Sequence, residues 1–211
     1  MEIGKRYTKG YKLKPTLPEV EALLSQHAGN MIPIYQDIPS DLLTPVSAYL
    51  KLAHGNKYSF LFESVLEKEE TGQYSFLGAS PYEVIRTGPQ EGRECDPLVY
   101  IEEQLSEVKY VSVPGLPSFT GGAVGYISFD CIKYFEPTTR RDLKDSLEIP
   151  ESVFLLVDQL VIFDHRFNVA KVVAHIRTDQ APDQSLEDRY AAAVQRIQHT
   201  IQLLTSDHTP L

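Results

Sequence analysis

Cysteine is scarce in this 211-residue chain, which carries two, Cys95 and Cys131, far apart and without close metal-ligand spacing. In a sequence with no secretory context that pattern points to reduced thiols, and it speaks against a zinc site. Long apolar runs are lacking as well. None approaches the roughly 20 residues that cross a bilayer, and the amino-terminal MEIGKRYTKGYKLKP has no apolar core of the kind a secretory signal needs. A cytoplasmic protein with no membrane span is the expectation. Basic residues are in deficit, with 20 Lys+Arg against 29 Asp+Glu and a formal net charge of -9. That balance repels a polyphosphate, so nucleic acid is not an expected partner. The densest basic cluster, Arg140-Arg141-Asp142-Leu143-Lys144, is interleaved with acid and reads as a solvated loop.

What is present is an ordinary globular composition, 42% hydrophobic and 23% charged, enough for one sizeable core. No repeat or Ser/Gly linker divides the chain, so residues 1–211 are expected to form a single domain. Thr16-Leu17-Pro18-Glu19 reads as a capping box for a short helix with Val20, Leu23, Leu24 and His27 at helical spacing. Residues 31–38 look extended. Thr44-Pro45 opens a second helix with Val46, Tyr49, Leu50 and Ala53 as its apolar face, ended by Gly55-Asn56. The aromatic and β-branched runs 58–62, 74–78 and 82–86 suggest an antiparallel meander. Residues 87–97 are the most loop-like interior stretch. Asp96-Pro97 starts a helix with Leu98, Ile101 and Leu105 inward, and residues 121–129 form a strand whose small residues imply close backbone approach. Residues 153–163 read as one long strand with a polar interruption, turned back by Asp164 to Asn168 into a partner over 169–176. Ser185 to Asp188 then caps a helix with Leu186, Tyr190, Ala193, Val194, Ile197, Ile201 and Leu204 on one stripe. The expected class is α+β, a largely antiparallel sheet flanked by helices.

Few residues are arranged for chemistry. Glu67, Glu69 and Glu70 surround Lys68 between two strands and read as a solvated hairpin loop. Asp164-His165 with Ser128 or Ser152 supplies the letters of a triad, but no nucleophile elbow surrounds either serine. Gly121-Gly122-Ala123-Val124-Gly125 lacks the Lys-Ser/Thr of a phosphate loop and leads into a strand rather than a helix. No histidine sits in a metal-ligating spacing. Glu63-Ser64 stands apart, because it ends an apolar strand. Alternation places Leu61 and Glu63 on one face and Phe62 and Ser64 on the other. Two readings remain open there. One is a capped strand end; the other is a pocket that pairs an ammonium with Glu63, hydrogen-bonds at Ser64 and walls an aromatic ring.

Leu61-Phe62-Glu63-Ser64 and Tyr74-Ser75-Phe76-Leu77-Gly78, at this spacing, resemble the amino-terminal domain shared by anthranilate synthase component I and aminodeoxychorismate synthase component I. Residues 119–126 (FTGGAVGY) look like that family's glycine-bearing strand. Tyr134-Phe135-Glu136-Pro137 and the stretch from Ile149-Pro150-Glu151-Ser152 to Asp164-His165 are similar to anthranilate synthases of the eukaryotic, fungal-like type. The resemblance runs from about Ile32 to Ile176.

This resemblance implies the amino-terminal half of a layered enzyme. The parent protein would be a lyase of tryptophan biosynthesis, making anthranilate from chorismate with ammonia delivered by a glutamine amidotransferase subunit, in a magnesium-dependent reaction. Those roles are expected in a carboxyl-terminal chorismate-binding half, so this chain alone is expected to hold no catalytic residue and no metal. The half present would bind L-tryptophan as a feedback effector, with Phe62, Glu63 and Ser64 in the motif that carries the site. Where many relatives have a basic residue before Tyr-Ser-Phe, this chain has Gln73, which can still donate a hydrogen bond to the ligand carboxylate. A segment from the other half would complete the pocket. The alternatives are the corresponding half of aminodeoxychorismate synthase in the folate pathway, and a stand-alone ligand-binding or assembly module, with Gly121 to Tyr126 as a contact surface.

Overall fold

The computed structural model describes residues 10–26, 29–63, 73–141, 144–180 and 183–206. They pack as two compact units, the first of Met1–Ser80, Val108–Gly121 and Asp158–Leu211, the second of Pro81–Glu107 and Gly122–Val157. Both are antiparallel sheets with helices, an α+β architecture.

The first unit contains β1 (Leu13–Lys14), β2 (Met31–Pro39), β3 (Ser59–Phe62), β4 (Tyr74–Ala79), β8 (Gln159–Asp164) and β9 (Val169–Arg177), in the sheet order β1-β2-β9-β8-β4-β3. The expected hairpin of β8 and β9 is therefore central. β2 pairs with β9 along its whole length, from Met31 opposite Arg177 to Pro39 opposite Val169. Within that ladder Asp37 lies opposite Lys171, and their side chains form an ion pair of 2.9 Å with both groups largely buried. Ile32, Ile34, Val172 and Ile176 on one face and Met31, Tyr35, Val173 and His175 on the other are each 5% exposed or less, so β2 and β9 are buried on both faces.

Among the described residues three α-helices belong to this unit. α1 (Leu17–Gln26) starts where the Thr16 backbone N–H donates to Glu19 Oε2 at 2.7 Å, half of the expected capping box; His27 falls outside the described residues. α2 (Pro45–Ala53) carries a full box between Thr44 and Ser47 and packs on β3 and β4. Its buried face is not the one expected, since Val46 is 46% exposed and Ala48 is the fully buried position. Proline at the first turn fixes the entry angle, and that rotates the small residue toward the sheet. α5 (Leu186–Leu204) is capped by Ser185, whose hydroxyl accepts from Asp188 N at 3.1 Å, and packs Ala193, Ile197, Ile201 and Leu204 on β9 and β2.

In the second unit, β5 (Glu83–Thr87), β6 (Gly122–Ile127) and β7 (Ser152–Val157) form a sheet in the order β5-β7-β6. α3 (Pro97–Leu105), capped by Asp96, buries Ile101 in a cluster with Ile85 and Leu156; Leu98 is 49% exposed, and Tyr100 packs in its stead. α4 (Ile132–Phe135) carries Tyr134, whose hydroxyl donates to Glu151 Oε2 at 2.7 Å, while Lys133 pairs with Glu151 Oε1. Burial and the hydrogen bond to Glu151 push the Tyr134 hydroxyl well above its ordinary value. The close approach expected of the glycine-bearing strand is present. A Cβ on Gly125 would overlap Val153 O and come within 2.8 Å of Phe154 Cα.

Two strand expectations are corrected. The run 58–86 gives a β3–β4 hairpin but no meander, because β5 pairs with β7 in the other sheet. The long strand over 153–163 is two strands that serve different sheets and break at Asp158. The break is held by polar partners that a continuous strand would forgo: Asp158 O accepts from His175 N and Nδ1, and Asp158 Oδ2 from Arg196 at 2.6 Å.

Candidate functional site

The β3–β4 hairpin sets a row of aromatic rings on one face of the six-stranded sheet. Phe62 lies opposite Phe76, and Phe76 opposite Ile162, while Tyr74 lies opposite Asp164. Directly opposed residues share a face, and so do residues two apart on a strand. Phe60, Phe62, Tyr74, Phe76, Ile162 and Asp164 therefore look the same way. The rings touch in sequence: Phe60 to Phe62 at 5.5 Å between centroids, Tyr74 to Phe76 at 6.2 Å, and Phe76 edge-on to Phe119 at 5.4 Å. Gly78 makes room for this packing, because a Cβ there would come within 2.6 Å of the Phe60 ring. Phe60 is buried, but Phe62 is 53% exposed, and Tyr74, Phe76 and Phe119 are half-buried. These rings form a half-open aromatic wall.

Polar groups close one end of the wall. The Gln73 amide Nε2 donates to the Tyr74 hydroxyl at 2.9 Å and lies 3.5 Å from Asp164 Oδ1, and Gln73 O accepts from His165 N at 2.9 Å. Asp164 is 3% exposed, and its Oδ1 also takes the backbone N–H groups of Arg166 and Phe167 at 3.2 and 3.4 Å. Behind the wall, the fully buried Ser75 shares a 2.7 Å hydrogen bond with His165 Nε2.

Among the residues singled out in the sequence, Phe62 is the last residue of β3 and Gln73 immediately precedes β4. Glu63 follows β3 as an exposed residue, and Ser64, Glu67, Glu69 and Glu70 fall outside the described residues. The letters of a triad are not assembled. The partner of His165 is Ser75, whereas Ser152 bonds Thr87 at 2.7 Å and Ser128 lies beside Cys131. Phe119 and Asp164 were not expected at the site. Phe119 reaches it through a contact 43 residues along the chain from Phe76, and Asp164 reads in sequence as an ordinary turn former. Among the described residues no group of three or more His, Cys, Asp or Glu could hold a metal ion.

The sequence model of the family described as chorismate binding enzyme matches residues 57–210, a span that contains every residue of this site. The chain is 47% identical over 200 residues to the probable anthranilate synthase component 1 of Schizosaccharomyces pombe, an alignment covering 95% of this chain and 40% of that protein. It is 44% identical over 212 residues to anthranilate synthase component 1 of Saccharomyces cerevisiae, covering 97% and 41%. Among solved structures, anthranilate synthase component I from Streptococcus pneumoniae TIGR4 superposes with a TM-score of 0.48 and 24% identity, over 75% of this chain and 35% of that one. The chain spans about two fifths of the length of the curated relatives it matches. Matched over most of its length, the chain belongs to the chorismate-binding enzyme family, among its anthranilate synthase component I members.

Proposed function

We propose that this chain is the tryptophan-responsive, effector-binding part of an anthranilate synthase, and that it carries no turnover chemistry of its own. The observation that carries the reading is the half-open wall of Phe62, Tyr74, Phe76 and Phe119 beside the polar groups of Gln73 and Asp164. An indole ring that buries roughly 150–250 Å² there, at about 25 cal/mol per Å², gains about 4–6 kcal/mol before the costs of association. Phe62, Ser64 and Gln73 are the proposed ligand contacts, with Ser64 hydrogen-bonding the ligand and Glu63, the remaining residue of the motif, near the head group at the exposed rim without contacting it. The parent enzyme would form anthranilate from chorismate with ammonia from an amidotransferase partner and magnesium bound elsewhere. Tryptophan would inhibit by binding the inactive arrangement more tightly than the active one, as linkage requires.

Calorimetric titration of this chain with L-tryptophan tests the reading. Weak but saturable binding is expected, with L-alanine giving none, because a segment from the rest of the parent protein would complete the pocket. No saturable heat at millimolar tryptophan would overturn the effector role. Anthranilate made by this chain alone from chorismate and ammonia would overturn the division of labour.

A further inference from the structure

We propose that Asp164 is the residue that recognises the ammonium group of the effector, so that the site selects an aromatic ring carrying an ammonium over the same ring without one. The proposal rests on the effector reading and goes beyond it, since the sequence singled out Asp164 only as a turn residue and a letter of an unassembled triad, never as a ligand contact. Asp164 is 3% exposed, on the same face as the aromatic wall, directly opposite Tyr74 and two residues from Ile162, which itself faces Phe76. Its Oδ1 is engaged by two backbone N–H groups and, at 3.5 Å, by the Gln73 amide, whereas Oδ2 takes no hydrogen bond among the described residues and is not one of their buried orphaned polar atoms, so it keeps an accessible side. No lysine, arginine or histidine forms an ion pair with it among the described residues, although the other largely buried carboxylates of the same unit, Asp37 and Asp158, each hold a cation. A carboxylate held by N–H donors on one oxygen and accessible on the other, at the end of an aromatic wall, is matched by a ligand that brings an ammonium to the free oxygen.

Position 73 sharpens the assignment. A neutral amide stands next to Asp164 and leaves its charge uncompensated, where a basic side chain would neutralise it. Glu63 is the rival ammonium partner, but it is exposed and follows a strand whose alternation carries it away from the face of Phe62. An ion pair made there is screened by water and contributes little.

The test compares L-tryptophan with indole-3-propionate, which keeps the ring and the carboxylate and lacks the ammonium, by calorimetry on the wild-type chain, on Asp164→Asn and on Glu63→Gln. Asn keeps an Oδ1 for the two backbone donors, so the turn persists. Wild type is expected to prefer tryptophan by at least about tenfold. Asp164→Asn should bring the two ligands within about twofold without weakening indole-3-propionate, and Glu63→Gln should retain the preference. Retention of the preference by Asp164→Asn, or its loss in Glu63→Gln alone, overturns the proposal while leaving the effector reading in place. If wild type binds neither ligand, the effector reading fails and takes the proposal with it. Should Asp164→Asn unfold, tryptamine decides on the wild-type chain: it must bind more tightly than indole-3-propionate, and the reverse order overturns the assignment.

Discussion

The carbonyl oxygen of Asp158 accepts two hydrogen bonds from His175, one from its backbone N–H at 2.9 Å and one from Nδ1 at 2.8 Å. A carbonyl can only accept, so Nδ1 carries the proton, and Nε2, 3.1 Å from Thr120 Oγ1, is left as the acceptor of the neutral ring. The knot is dry: His175 is 1% exposed, and burial pulls its pKa down from 6.5 to about 4.

The first prediction follows from that depression. Between pH about 6.5 and about 4 the unfolded chain holds a proton on His175 that the folded chain does not, so stability falls as the pH is lowered through this window. The full loss attributable to the residue is about 3 kcal/mol. Urea unfolding at pH 7 and pH 4.5 checks it. His175→Gln should be less stable at pH 7 and should show a distinctly shallower decline toward pH 4.5 than wild type.

Gly125→Ala should destabilise the second unit by about 2 kcal/mol or more, because the new methyl meets the backbone of β7 rather than a side chain that could turn aside. Hydrogen exchange should show the loss concentrated in β6 and β7. Unchanged protection there would refute the close approach.

Phe62→Ala should separate binding from folding. The side chain is 53% exposed, so truncation should cost the fold no more than about 1.5 kcal/mol. Tryptophan affinity should drop roughly tenfold or more, as for an aromatic anchor lost from a ligand site. Equal affinity of variant and wild type in calorimetry would remove Phe62 from the site.

Asp37 and Lys171 should be strongly coupled. Removing either partner leaves a largely buried charge unpaired, so Asp37→Ala or Lys171→Ala should each cost about 3 kcal/mol, whereas the double change to Leu and Met should cost much less. Additive single losses in chemical denaturation would show that the pair is not coupled.

How far these features were legible in the sequence depends on the range of the interaction behind them. The caps at Thr16, Thr44, Asp96 and Ser185 and the hairpin of β8 and β9 are local, and their residues announce them. The break at Asp158 is not, because it depends on His175 and Arg196, which lie 17 and 38 residues further on. The inward faces of α2 and α3 were misassigned at Val46 and Leu98, both next to the proline that opens the helix, where entry geometry outweighs periodicity. At the candidate site, β3 and β4 were visible from their motifs. Phe119 and Asp164 were not, since one arrives through tertiary packing and the other is disguised as a turn residue.

The pairing of β2 with β9 has a consequence for how the chain is made. β2 is complete at Pro39 and finds only the two-residue β1 before it, whereas its long neighbour β9 begins opposite it at Val169, about 130 residues later. At 5–20 residues per second, the ribosome leaves β2 waiting on the order of ten seconds with both apolar faces uncovered. In the second unit, β5 likewise waits for β7. The β3–β4 hairpin, the scaffold of the aromatic wall, needs no distant strand and can pair as soon as it emerges, as β8 and β9 do later. The proposed effector site thus has its strands in register before the sheet that will hold them exists, and the last strand to arrive, β9, closes the first unit in a single late step.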